Sequence, residues 1–185
     1  MAAMVEIAKD DVARVSVYEV PESDWQTWRE LRLEALTDAP YAFGETLARA
    51  RSLTEAEWRS WWDGREFAGP RFIGVADGAP AGMCSLCFPE DHDHEPLIIN
   101  MWTSPRVRGR GLGRAMLDAC VTYCVQAGHP RLLLGVVEDN LPARRLYESY
   151  GFVYTGGREP LRSNPSTSLL WMTMQLNGNR AQGLV

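Results

Sequence analysis

The chain has 185 residues, about one domain at the usual ~100 to 200 residues each. Its 45% hydrophobic and 23% charged residues are typical of a globular protein, and no apolar run approaches the roughly 20 residues that cross a bilayer. The formal net charge of −5 argues against a nucleic-acid partner, because phosphate contacts require a basic surface. The first residues lack a basic start and a long apolar stretch, so we expect no secretory signal, no membrane partner and a cytoplasmic location.

The first third of the chain predicts a strand followed by two helices. "VSVYEV" (15–20) alternates as a strand does, and "PESDWQTWRELRLEAL" continues with Ser23 or Asp24 as N-cap and apolar residues at helical spacing. A second helix is predicted to begin at "SLTE", where Ser52 and Glu55 have the spacing of a capping box. Three tryptophans follow at 58, 61 and 62 and are expected in the core.

The middle of the chain predicts an antiparallel meander. "RFIGVA" and "AGMCSLCF" have strand character and are joined by "DGAP", in which Asp-Gly favours a hairpin. The polar loop "PEDHDHE" then leads to "PLIINMWT", a buried strand that runs directly into the arginine- and glycine-rich stretch "SPRVRGRGLGR".

The remainder alternates helices and strands. An amphipathic helix is predicted to begin at Leu112 and to end at Gly128. A strand is then predicted at "RLLLGVV", a helix capped by Gly151 at "NLPARRLYESY", and two further strands at "FVYT" and "SLLWMTMQL". The expected fold is mixed α/β (α+β), antiparallel early and with one strand–helix–strand crossover. We expect a single domain over 14–177, an N-terminal extension over 1–13 and a flexible tail over 178–185.

The four cysteines do not predict a zinc site. Cys84 and Cys87 are three positions apart in a strand and point to opposite faces, whereas Cys120 and Cys124 lie one helical turn apart. Core thiols are the expected outcome, and no metal is expected.

The arginine–glycine stretch predicts an anion site. A strand that stops at a glycine-rich turn and restarts as a helix leaves backbone N–H groups pointing one way, and the helix dipole favours a negative ligand such as phosphate. Arg108, Arg110 and Arg114 add charge that can pair with phosphate oxygens, although a solvated basic turn is the alternative. A Walker sequence is excluded because Lys9 is the only lysine, and the glycine spacing does not fit a Rossmann fingerprint.

Two separated motifs resemble the GNAT superfamily of N-acetyltransferases. The first is Gln/Arg-x-x-Gly-x-Gly/Ala, which Arg108, Gly111 and Gly113 match between a strand and a helix. The second lies in "LLLGVVEDNLPARRLYESYGF", where the matching residues are Asn140, Ala143, Tyr147, Gly151 and Phe152. The similarity is sharpest from about Leu97 to Phe152, and the earlier elements follow the family's order.

The resemblance implies a mostly antiparallel, twisted sheet flanked by helices, with two splayed central strands, and acetyl-coenzyme A (acetyl-CoA) as cosubstrate. The pyrophosphate would lie on the loop, and the pantetheine arm would pair with the strand edge and contact the second motif. The implied cofactor-binding residues are Met101, Trp102, Thr103, Val107, Arg108, Gly109, Arg110, Gly111, Leu112, Gly113, Arg114, Asn140 and Tyr147. Asn140 is also a good N-cap, and the two roles are compatible.

Acetyl transfer requires a neutral amine, stabilisation of the developing oxyanion and a proton for the leaving thiolate. By family position Tyr147 is the proton donor, although it could merely pack on its helix, and a backbone N–H of 101–103 would stabilise the oxyanion. Glu45 in "YAFGET" is our candidate base, with a solvated surface carboxylate as the alternative. His92 and His94 are further candidates, but a hairpin loop more often leaves such histidines exposed.

The implied activity is transfer of acetyl from acetyl-CoA to a primary amine of a small molecule or peptide, by direct attack in a ternary complex. The alternative is a non-catalytic acyl-CoA sensor or interaction module with the same fold. The acceptor stays open among antibiotics, polyamines, amino acids and protein N-termini, because a fold does not fix a substrate. A homodimer is possible on the resemblance.

Overall fold

The computed structural model describes residues 14–63 and 69–176. The expected extension (1–13) and tail (178–185) lie outside these ranges. The strands are β1 (Val15–Glu19), β2 (Arg71–Ala76), β3 (Ala79–Cys87), β4 (Leu97–Thr103), β5 (Arg131–Val137), β6 (Val153–Leu161) and β7 (Asn164–Gln175). The α-helices are α1 (Trp25–Asp38), α2 (Leu47–Ser52), α3 (Glu55–Arg59), α4 (Leu112–Gln126) and α5 (Leu141–Tyr150).

The strands form one mixed sheet in the order β1-β2-β3-β4-β5-β7-β6. Every neighbouring pair is antiparallel except β4 and β5, which run parallel and are connected through α4. The β2–β3 hairpin turns at Asp77 and Gly78, both with positive φ, as the Asp-Gly signal predicts. The expected fold class, a mostly antiparallel sheet flanked by helices, is confirmed.

Each face of the sheet has its own apolar core. On one face α4 and α5 bury residues such as Met116, Leu117 and Phe152 against the inward side chains of the sheet. On the other face α1, α2 and α3 cover the first half of the sheet with a tryptophan-rich cluster that includes Trp28 and Trp58. No helix within the described ranges is both long enough and apolar enough to span a membrane.

Helix α4 lies very close to β2 and β3. A Cβ placed on Gly74 would lie 2.9 Å from Leu112 Cδ1 and 3.0 Å from Met116 Sδ, so a larger residue would require these buried side chains of α4 to shift. This packing fixes where α4 begins, and therefore the position of the loop that precedes it.

Two local predictions were wrong. The helix predicted from "SLTE" is α3, but its capping box is formed by Thr54 and Glu57 rather than by Ser52 and Glu55, and the short helix α2 that precedes it was not predicted. Ser52 is the last residue of α2, where its hydroxyl donates to the Arg49 carbonyl at 2.7 Å. The last two strands are also longer than expected, because β6 and β7 extend across a glycine-containing bulge after Tyr154.

Candidate active site

The loop between β4 and α4 presents unpaired backbone N–H groups. Gly109 and Gly111 have φ values of +77° and +87°, which favour glycine, and Gly111 is the N-cap of α4 with no side chain to cap it. The first bond of helical type runs from the Ala115 N–H to the Gly111 carbonyl at 3.0 Å. The three preceding N–H groups of the helix therefore have no intrahelical acceptor, which is the arrangement that binds anions.

The glycines of the loop border open space. A Cβ on Gly109 or Gly111 would have no heavy atom within 4 Å other than those of its chain neighbours. A Cβ on Gly113 would instead lie 3.0 Å from Leu146 Cδ2 on α5, so this glycine serves helix packing. The loop backbone is therefore open to a ligand at Gly109 and Gly111, and its unpaired N–H groups fit a phosphate-bearing ligand.

The loop arginines are engaged with other parts of the chain. Arg108 binds the carboxylate of Asp38 on α1, and Arg110 donates to both oxygens of Asp77 at 2.7 Å. The Arg114 guanidinium lies 5.0 Å from the centre of the Tyr150 ring. The sequence suggested that these arginines face the phosphate, whereas here each has a protein partner.

Strands β4 and β5 separate after a short parallel ladder. They pair only at Leu97–Leu133 and Ile98–Leu134, and no further pairing joins them within the described chain. The second half of β4, including Met101–Thr103, therefore turns a backbone edge toward the widening gap. The family resemblance implies that the pantetheine arm pairs with this edge, and such an edge accepts an extended ligand as an added strand.

A β-bulge lies on the opposite edge of β4, where this strand pairs with β3. The pairing with β3 shifts between Met83–Trp102 and Ser85–Ile99, so β4 carries one extra residue. Asn100 has φ +59°, and its side-chain amide donates to Ser85 Oγ at 2.9 Å. Sequence reasoning missed this residue, although a polar Asn in an apolar strand was a usable signal.

Helix α5 carries the second motif. Asn140 caps it, with Oδ1 accepting from the Ala143 N–H at 3.3 Å, so the capping role is present. Tyr147 is 6% exposed and packs edge-on against Phe152, with ring centres 6.0 Å apart. Burial raises the pKa of Tyr147, and the nearby thiols of Cys84 and Cys120 raise it further. The hydroxyl is therefore protonated at neutral pH, as a proton donor must be.

Glu45 is not a freely solvated carboxylate. Its Oε2 lies 3.4 Å from Arg32 Nη2, in a pair whose side chains are 25% and 5% exposed, respectively. The Arg32 guanidinium also lies 4.6 Å from the centre of the Phe43 ring. The Phe43 carbonyl accepts from Ser163 Oγ, so this segment joins α1 to the β6–β7 hairpin.

The histidines and cysteines lie apart from the loop motif. The His92 ring packs on Trp171 of β7 with centres 4.7 Å apart, so it is not simply exposed, whereas His94 is exposed with Nδ1 3.3 Å from the Phe88 carbonyl. All four cysteines are free and buried, as expected for core thiols. No three metal-ligating side chains are grouped together in the part of the chain that the structure describes.

Comparison with proteins of known sequence identifies a family and relatives that resemble this chain. Residues 25–152 match the family model described as the acetyltransferase (GNAT) family. Mycothiol acetyltransferase of Acidothermus cellulolyticus is 32% identical over 150 residues, which are 74% of this chain and 43% of that protein. Mycothiol acetyltransferase of Kocuria rhizophila is 29% identical over 154 residues, covering 80% of this chain and 48% of that one. The chain thus spans less than half the length of these relatives.

Solved structures share the fold. The acetyltransferase of the GNAT family from Streptococcus pneumoniae superposes with a TM-score of 0.73 at 17% identity, covering 89% of this chain and 100% of that one. YncA of Salmonella typhimurium, a structure described as holding its cofactor acetyl-CoA, gives a TM-score of 0.71 at 19% identity, with coverage of 89% and 95%. With the family match over 25–152, these findings show that the chain belongs to the acetyltransferase (GNAT) family.

Proposed function

We propose that the protein is an N-acetyltransferase that transfers acetyl from acetyl-CoA to a primary amine of a small molecule or peptide. The observation that carries the proposal is the adjacency of two features. The uncapped N-terminus of α4 can take the pyrophosphate, and the β4 edge that β5 leaves unpaired lies directly before it in the chain. Family membership adds independent support.

The residues proposed to hold the cosubstrate belong to three segments. The loop from Val107 to Arg114 would bind phosphate mainly through backbone N–H groups, because its arginines have protein partners. Met101–Thr103 would pair with the pantetheine arm, and Asn140, which caps α5 shortly after β5 ends, would contact the same arm. When bound, acetyl-CoA supplies the acetyl thioester.

Tyr147 is proposed to donate a proton to the leaving thiolate. Its raised pKa keeps the hydroxyl protonated at neutral pH, and the Phe152 ring restricts the orientation of the phenol. A backbone N–H of 101–103, beside the bulge at Asn100, is proposed to stabilise the oxyanion.

Glu45 is proposed as the base that deprotonates the acceptor amine, directly or through water. It lies on the segment that bridges α1 and the β6–β7 hairpin, which packs in the core opposite that of α4, and the acceptor is proposed to approach from this face. The curated relatives bear the name mycothiol acetyltransferase, so a mycothiol-related small-molecule amine is one candidate acceptor.

Two measurements test the proposal. Calorimetric titration with acetyl-CoA, ATP and NAD should show binding of acetyl-CoA alone, and ATP or NAD binding without acetyl-CoA binding would overturn it. A panel of amines that includes amino acids, polyamines, aminoglycosides and a mycothiol-related amine should then release free thiol with at least one acceptor. Binding without thiol release across that panel would favour the sensor. Intersecting rather than parallel initial-rate lines are expected for direct attack in a ternary complex.

A further inference from the structure

Asp38 occupies an electrostatically unfavourable place. It is the last residue of α1, where the carbonyl end of the helix dipole repels a carboxylate, and the last turn of α1 has no basic residue to offset it. Aspartate is also a poor helix former. Stabilisation of its side chain comes from elsewhere in the molecule.

Two donors from the β4–loop region supply that stabilisation. Oδ2 of Asp38 accepts from Trp102 Nε1 at 2.9 Å and also from the guanidinium of Arg108. Arg108 Nε in turn donates to the Thr103 carbonyl at 3.2 Å. The carboxylate thus ties the end of α1 to the end of β4 and to the start of the glycine loop.

A second acidic residue repeats this contact one turn earlier on α1. Glu34 Oε1 accepts from Ser104 Oγ at 3.1 Å and lies 3.5 Å from Arg106 Nη2. Because Glu34 and Asp38 are four residues apart, they lie on the same face of the helix. This face of α1 therefore contacts the segment from 102 to 108 through four side chains, those of Trp102, Ser104, Arg106 and Arg108.

We propose that Asp38 is a positioning residue for cosubstrate binding. By holding Arg108 against β4, it fixes the entry to the glycine loop, so that the backbone N–H groups that follow are presented to the pyrophosphate in advance. Arg108 then acts as the anchor of the loop and not as a ligand of the phosphate. This inference rests on the proposed binding of acetyl-CoA.

The direction in which one substitution changes the affinity for CoA separates the two alternative roles of Arg108, anchor of the loop and ligand of the phosphate. In Asp38→Asn the amide still accepts a hydrogen bond from Trp102 but loses the ion pair with Arg108. If Asp38 positions the loop, the variant should bind CoA about tenfold more weakly in a calorimetric titration. If Arg108 binds phosphate and Asp38 merely competes for it, the variant should bind CoA as tightly as the wild type or more tightly, which would overturn the inference.

A double-mutant cycle tests whether Asp38 acts through Arg108. Arg108→Ala alone should weaken CoA binding by about the same factor as Asp38→Asn, and the double variant should be no weaker than either single variant. Losses that multiply in the double variant would contradict the inference. Asp77→Asn is the matched control, because it removes the acidic partner of another loop arginine, Arg110, from the β2–β3 turn and not from α1, and it should change CoA binding by less than about twofold.

A phosphate-free substrate distinguishes loop positioning from general damage. The ratio of kcat/KM for acetyl-CoA to that for S-acetylpantetheine, which lacks the pyrophosphate, should fall about tenfold in Asp38→Asn. An equal loss with both substrates would assign Asp38 to overall structure instead. Failure of the wild-type protein to bind CoA would overturn the proposed function itself, whereas wild-type binding with an unaffected variant overturns only this inference.

Discussion

The Arg32 guanidinium is 3.4 Å from the Glu45 carboxylate, and the two partners differ in their access to water. The Arg32 side chain is 5% exposed, with Nε and Nη1 unpaired in the described structure, whereas the Glu45 side chain is 25% exposed. Burial lowers the pKa of Arg32, and the Glu45 carboxylate opposes that effect. Loss of Glu45 would therefore leave a buried charge, whereas loss of Arg32 would leave a carboxylate that water can reach.

We expect this difference in exposure to make removal of Glu45 more destabilising than removal of Arg32. Glu45→Gln should lower the free energy of unfolding by about 1–3 kcal/mol, because the buried guanidinium loses its charged partner. Arg32→Met should change it by less than about 1 kcal/mol, since an apolar side chain of similar length replaces a desolvated cation. Urea titrations of both variants measure the difference. A larger loss for Arg32→Met would show that the guanidinium itself stabilises the fold.

The proposed role of Glu45 as base leads to a kinetic prediction. Glu45→Gln should reduce kcat/KM for the acceptor by about 10²- to 10⁴-fold, because the amide cannot take a proton from the amine, while the Kd for CoA stays near the wild-type value. The measurement is a series of initial rates at varied acceptor concentration and saturating acetyl-CoA. A variant that retains the wild-type rate would transfer the role to another group or to water.

Gly111→Val should abolish CoA binding in a folded protein. The φ of +87° strains any L-residue by about 1–2 kcal/mol, and a side chain there would occupy the space that the phosphate needs. Gly78→Val is a matched control, because Gly78 has φ +79° and equally open surroundings but lies in the β2–β3 turn. Both variants should lose similar stability, and only Gly111→Val should lose CoA binding by titration. Undiminished CoA affinity in Gly111→Val would contradict the anion site.

Tyr147→Phe should impair chemistry and not binding. The substitution keeps the ring that packs on Phe152 and removes only the hydroxyl, so turnover should fall about 10²- to 10⁴-fold with the Kd for acetyl-CoA near wild type. Turnover is to be measured where chemistry limits the rate. Tyr150→Phe is the control on the same helix, since Tyr150 is equally buried but its hydroxyl donates to Asp118 at 2.5 Å. Equal turnover in Tyr147→Phe and Tyr150→Phe would show that Tyr147 has only a packing role.

The raised pKa of Tyr147 also predicts how stability depends on alkaline pH. The folded state holds the phenolic proton more tightly than the unfolded chain, whose tyrosines titrate near pH 10. This contribution to stability is complete below about pH 10 and is lost as the pH rises toward the folded-state pKa. Between about pH 9 and 11, Tyr147→Phe should therefore lose less unfolding free energy than the wild type. Identical losses in urea titrations would show that Tyr147 does not titrate differently on folding.

The sequence by itself determined the elements around the glycine loop between β4 and α4. The glycines that allow positive φ, the helix that begins at Leu112 and the Asn140 and Gly151 caps of α5 depend on local chemistry, which is readable from neighbouring residues. The buried cysteines follow from the same local patterns, because periodicity shows which face of an element is apolar.

Only the tertiary structure decided the partners of the charged residues. Arg108 meets Asp38 across 70 positions of the chain, and Glu45 meets an arginine of α1, so neither pair has a local signature. The bulge at Asn100 depends on its register with β3, and the choice of Thr54 over Ser52 for the capping box depends on where α2 ends. Local sequence fixes backbone preferences, but contacts between distant side chains depend on how the helices pack on the sheet, and no window of neighbouring residues contains that information.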